Sequence, residues 1–170
     1  TLQPEMVTNG TFDTDTTGWS SPRSSSTLSV VGGKGRVTST NTGTFGISQT
    51  VTCEVGKSYR LYATTTRATV DGQIFMRYGT IASLTSSIGQ TTQNGVEEGY
   101  FELEFTATAS TMYIGVLATH TASGQYFEVD NVSVKEVGLT SATEPDWYNT
   151  LMPEMVTNGT FDTDISGWVS

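Results

Sequence analysis

The chain has 170 residues, 35% of them hydrophobic, and carries 8 Lys and Arg against 17 Asp and Glu for a net charge of −9. An acidic surface with few charges repels phosphate backbones, which argues against a nucleic-acid partner. No apolar run reaches the roughly 18 residues that suggest a membrane span, and the one cysteine, Cys53, has no partner for an internal disulfide.

Composition points to β structure. There are 32 Thr and 18 Ser, residues that suit a pleated, half-wet surface, and 18 Gly for turns. In chain order, residues 5–7 read as a short strand before the turn dipeptide Asn9-Gly10. Residues 28–31 and 36–38 flank Gly32-Gly33-Lys34-Gly35 and read as a hairpin. Residues 45–51 alternate, and Cys53 falls where that strand runs into a turn, as a buried residue. Val55-Gly56-Lys57 is a turn before a strand over residues 58–64, and Asp71-Gly72 is a turn before another over 73–78. Residues 79–99 are rich in Ser, Thr, Gln and Gly and read as loop. The clearest amphipathic strand covers 100–107, with Phe101, Leu103 and Phe105 inward and Glu102 and Glu104 in water. Residues 112–118 are apolar on both faces, as in a central strand, and 126–137 close the set. Short runs at this spacing predict an all-β, two-sheet antiparallel sandwich over residues 1–137.

Residues 138–152 read as a linker, interrupted by Trp147 and Tyr148. Beyond it the opening returns: residues 1–21 reappear as 150–170, differing only at Gln3/Met152, Thr16/Ile165, Thr17/Ser166 and Ser20/Val169. Seventeen identities in 21 pairs are beyond chance. The 149-residue offset suits a whole domain rather than a solenoid turn. Residues 153–170 are therefore expected to be the first strand of a next unit in a tandem array, with neighbouring copies of the repeat as partners.

Three motifs stand in order: Asn9-Gly10-Thr11-Phe12-Asp13 with Gly18-Trp19, then Val55-Gly56-Lys57-Ser58-Tyr59-Arg60-Leu61, then Phe127-Glu128-Val129-Asp130-Asn131-Val132-Ser133-Val134. The set resembles the jelly-roll carbohydrate-binding modules attached to xylanases and cellulases, which also look common in phage tail and fibre proteins. The resemblance implies a galactose-binding-like jelly roll and a structural calcium held by Asp13 and Asp130, an ion that takes oxygen ligands. A sugar-binding face needs exposed rings that stack on pyranose C–H faces, beside polar groups for the hydroxyls. Tyr78, Tyr100, Tyr113, Tyr126 and Arg77 are the candidates, and Trp19 reads as core.

Catalysis has no signature here. His120 is the only histidine and reads as a surface residue among threonines. No nucleophile elbow, HExxH or phosphate loop occurs, and Glu97, Glu98, Glu102 and Glu104 read as solubilising. The expectation is a non-catalytic repeat of a long extracellular or virion-surface fibre, with a spacer or adhesive role. The alternative is a working carbohydrate-binding module that tethers an enzyme or particle to a cell-surface or extracellular glycan.

Overall fold

The computed structural model describes residues 3–66, 68–93 and 98–137. The chain divides into two compact units, Thr1–Val137 and Gly138–Ser170. The described residues belong to the first; the expected linker at 138–152 and the repeated segment at 153–170 lie outside them.

The described residues form nine strands: β1 Ser26–Val31, β2 Lys34–Ser39, β3 Gly43–Thr52, β4 Ser58–Thr66, β5 Ile74–Gly79, β6 Gly89–Gln93, β7 Glu98–Thr106, β8 Thr111–His120 and β9 Tyr126–Glu136. They make a two-sheet antiparallel jelly-roll sandwich. One sheet has the order β1-β2-β9-β4-β7 and the other β3-β8-β5-β6. Side-chain alternation explains the layering. In β7, Phe101, Leu103 and Phe105 point to the core; in β4, Tyr59, Leu61 and Ala63 do; in β5, Ile74 and Met76 do. The fully buried Phe, Leu, Ile and Met side chains among these each stabilise the fold by about 1.5–3 kcal/mol. As its two-sided apolar pattern predicts, β8 lies between β3 and β5. Its Ile114 and Val116 face the core, while Leu117 joins a separate outer cluster with Phe75 and Leu84.

Three sequence expectations need correction. Residues 5–7 form no strand. They belong to a strap, residues 4–20, whose first part lies along the last strand and whose end bridges β3 through Ser20 and Ser48. Met6 N donates to Val134 O (3.1 Å), and Val132 N donates to Gly10 O (2.9 Å). Glu5 Oε1 accepts from Val134 N (2.8 Å), and Gln49 exchanges two bonds with the backbone of Thr8 (2.8 and 2.9 Å). Val7, Phe12 and Trp19 are buried, and the Trp19 indole donates to Asn9 O at 3.0 Å. Gly10 is required: a Cβ there would lie 2.0 Å from Val132 O. Second, residues 79–99 are not all loop. They contain β6, whose Gly-Gln-Thr-Thr-Gln shows no apolar period and which is organised by pairing with β5. Third, His120 is buried at 6% exposure. Its ring lies edge-on to Phe45 (4.5 Å, 74°), with Nε2 against the Asn41 carbonyl. Cys53 and Trp19 are buried as read.

Candidate functional site

The outward residues of β2, β9, β4 and β7 share the exposed face of the five-stranded sheet. Register sets them in rows. Arg36 lies opposite Glu128, which pairs across with Thr66, which pairs with Glu98. In the adjacent row Asp130 pairs with Thr64 and Thr64 with Tyr100. A β-bulge makes this possible. The β4–β9 register shifts between Tyr62 and Thr64, and Asn131 takes a left-handed φ of 51°. The extra residue lets Val129 and Val132 both point inward, leaving Asp130 and Asn131 both outward.

A cleft of about 180 Å³ opens on this face, lined by Lys34, Thr64, Thr66, Glu98, Glu128 and Asp130. Its groups are held. Lys34 Nζ donates to Thr66 Oγ1 (3.1 Å), Thr64 Oγ1 donates to Asp130 O (2.9 Å), and Arg36 Nη2 bonds Glu128 Oε1 (2.6 Å). The Arg36 guanidinium also stands 4.1 Å over the Tyr126 ring. At one side Tyr100, 64% exposed, stacks with half-buried Tyr62 (6.1 Å between ring centres, 24° between planes). Beyond them Arg60 pairs with Glu104 and Glu102 at 2.7 and 3.1 Å. The arrangement sets an accessible aromatic surface beside fixed donors and acceptors, which suits a ligand with apolar faces and many hydroxyls.

The five expected binding residues do not converge. Tyr100 and Tyr126 lie on this face. Tyr78 instead turns to the core edge and stacks on Phe105 (4.7 Å, 22°). Its place in β5, in phase with Ile74 and Met76, explains why. Tyr113 and Arg77 lie on the outer face of the other sheet. Sequence reasoning missed Tyr62 and the cleft residues Lys34, Thr64, Thr66, Glu98 and Glu128. Tyr62 carried a signal, because it alternates with Tyr59, Leu61 and Ala63; the others meet only through long-range register.

The two carboxylates implied for calcium are committed locally. Asp13 Oδ2 accepts from Thr11 Oγ1 (2.8 Å), and Asp130 accepts from the N–H and the side-chain amide of Asn131 (2.7 and 3.3 Å). Among the described residues no three Asp, Glu, His or Cys side chains gather in a way that could hold a metal ion. Each of the two carboxylates thus has a local donor of its own, as in a turn cap.

No family model and no curated protein sequence matches the chain. Solved structures do. A carbohydrate-binding module described as CBM4 aligns with TM-score 0.59 at 16% identity, over 76% of this chain and 99% of its own. The Clostridium thermocellum xylanase 10B structure, comprising CBM22-1 and GH10 modules, aligns with TM-score 0.60 at 16% identity, over 86% of this chain and 32% of its own. Bacteriophage CBA120 tailspike protein 4 aligns with TM-score 0.57 at 17% identity, over 78% of this chain and 21% of its own. The likeness thus spans nearly all of a module solved by itself and a minor share of the longer chains. At these identities it is a likeness of fold. Residues 3–137 have the jelly-roll fold of carbohydrate-binding modules.

Proposed function

We propose that this chain is a non-catalytic glycan-binding module of an extracellular or virion-surface protein, and that the outer face of its five-stranded sheet takes the glycan. One observation carries the reading: the exposed Tyr100, stacked on Tyr62, stands beside a cleft lined by the Lys34 ammonium, the Thr64 and Thr66 hydroxyls and the Glu98, Glu128 and Asp130 carboxyl groups, with Lys34 held on Thr66. Pyranose rings stack on the tyrosines, and their hydroxyls bond Lys34, Thr64 and Asp130. The fold neighbours support this choice, since the xylanase structure was solved with xylohexaose.

Affinity electrophoresis and calorimetry against xylohexaose and against cello- and galacto-oligosaccharides test it. Binding to at least one of these is expected, weakened about tenfold in Tyr100→Ala and in Tyr62→Ala with the fold intact. A folded chain that none of these glycans retards returns the function to the spacer reading. That second reading rests on the return of residues 1–21 at 150–170, which repeats Val7, Phe12 and Trp19, the strap's buried apolar residues, as Val156, Phe161 and Trp168.

A further inference from the structure

The outer face of the four-stranded sheet holds an arrangement that the first site does not use. One register row runs from Ser48 of β3 through Gly115 of β8 and Arg77 of β5 to Gln90 of β6, extended at its start by the bridge between Ser20 and Ser48. The Arg77 guanidinium is fixed on this row. Its Nε donates to Gln90 Oε1 (2.9 Å), its Nη1 donates to Leu84 O (3.0 Å), and its plane lies 4.4 Å over Phe75. A second guanidinium, Arg23, arrives from the segment just after the Ser20 bridge, and its Nε is buried without a hydrogen-bond partner. Burial, and after it the nearby charge of Arg23, push the Arg77 pKa below its ordinary value.

In a chain of net charge −9, three of the described cations are paired with carboxylates, and Arg23, Lys34, Arg77 and Lys135 are not. Arg36, Lys57 and Arg60 each lie within ion-pair distance of a glutamate. Among the described residues, neither Arg23 nor Arg77 has a carboxylate within 4.0 Å. Two guanidiniums without carboxylate partners, one pre-oriented with its Nη2 left over and one with an orphaned buried N–H, suit an oxyanion such as a carboxylate or sulfate. A cleft of about 170 Å³ on this face is lined by Ser20, Ser21, Pro22, Ser48, Ala82 and Tyr113; Pro22 directly precedes Arg23, and Tyr113 lies two positions along β8 from Gly115, the register partner of Arg77. Hydroxyl groups and one half-buried ring suit the neutral part of a sugar.

We propose that this face is a second ligand site, selective for a saccharide bearing an oxyanion: a uronic-acid carboxylate or a sulfate ester. Arg23 and Arg77 hold the anion, and Tyr113 with the serine hydroxyls holds the ring that carries it. The site stands whether or not the opposite face binds neutral glycan.

The test is calorimetry on the full 170-residue chain with oligogalacturonate, a sulfated galactan oligosaccharide and a neutral galacto-oligosaccharide of equal length. At least one anionic probe is expected to bind tenfold or more tightly than the neutral one, with affinity falling as salt rises. The tighter of the two identifies the anion. Arg23→Gln, which breaks no described hydrogen bond, and Tyr113→Ala should each lower that affinity about tenfold. Tyr100→Ala and Tyr62→Ala should leave it unchanged, so failure here and failure of the first site read out separately. Arg77→Lys is the second anion variant, interpreted only if its melting temperature is unchanged. The proposal is overturned if neither anionic probe outbinds the neutral one, if Arg23→Gln has no effect, or if Lys57→Gln, remote from the row, weakens binding equally.

Discussion

The two outer faces of the sandwich follow the same alternation and are put to opposite uses. On the five-stranded sheet the outward side chains stand in water: Tyr100 is exposed, Arg60 pairs with two exposed glutamates, and the cleft floor is polar. On the four-stranded sheet the chain covers part of the face itself. Residues 80–88 fold back over it and drive Leu84, 0% exposed, into a notch above Gly115, where a Cβ would come within 2.7 Å of Leu84 Cδ1. Leu84 takes a φ of 48°, unusual for a leucine, to make that insertion. Gly115 on one sheet thus admits a plug over part of its face, and a bulge at Asn131 on the other turns Asp130 and Asn131 outward. Fold class does not separate the two faces; single backbone positions do.

The sharpest way to break this contrast is Leu84→Ala. Leu84 is fully buried against Phe75 and Leu117, so its loss should cost about 2–4 kcal/mol in chemical denaturation. Tyr100→Ala on the open face should stay within about 0.5 kcal/mol. Equal losses would mean the open face is structural after all. Next in size is Arg36→Met. The Arg36–Glu128 pair is more enclosed than its neighbours, with side-chain exposures of 29% and 14%, and removing the arginine leaves Glu128 without its partner. A loss of about 1 kcal/mol is expected, largely recovered when Glu128 is also replaced by Met. No recovery in the double variant would show that the guanidinium acts through Tyr126 packing instead.

The smallest effect concerns the strap that both sheets share. Partial burial raises the pKa of Glu5, but hydrogen bonds from Ser133, Val134, Val7 and Met6 outweigh it, and the net pKa lies below the ordinary 4.5. A carboxyl with a depressed folded pKa adds stability that is fully present above the unfolded value and fades as pH falls through the folded one. Stability should therefore drop below about pH 4.5 in the parent more steeply than in Glu5→Gln, measured by melting temperature against pH. Identical pH profiles would remove Glu5 from the account.

Much of the fold was legible because apolar residues mark their own phase. Phe101, Leu103 and Phe105 declare β7, and the two-sided run from Met112 declares a central β8. β6 was invisible because Gly89 to Gln93 has no apolar residue to carry a period. His120 was misread because its burial comes from Phe45 and Asn41, far off in sequence. The candidate site was legible only in part. Tyr100 showed as an outward residue beside Phe101, but nothing local says that β4 lies next to it and presents Tyr62. The cleft needs β2, β9, β4 and β7 in register together, and the phase of Asp130 depends on a bulge that leaves little trace in composition.

The stitching of Glu5 to Val134 joins residues 129 positions apart. During synthesis the apolar strap residues of this unit, Val7 above all, therefore lack part of their cover until the final strand has emerged. At about 5–20 residues per second that is a delay of several seconds or more. Synthesis order and completion order are thus reversed at the seam, and any excised unit trimmed at either end loses the closure of both.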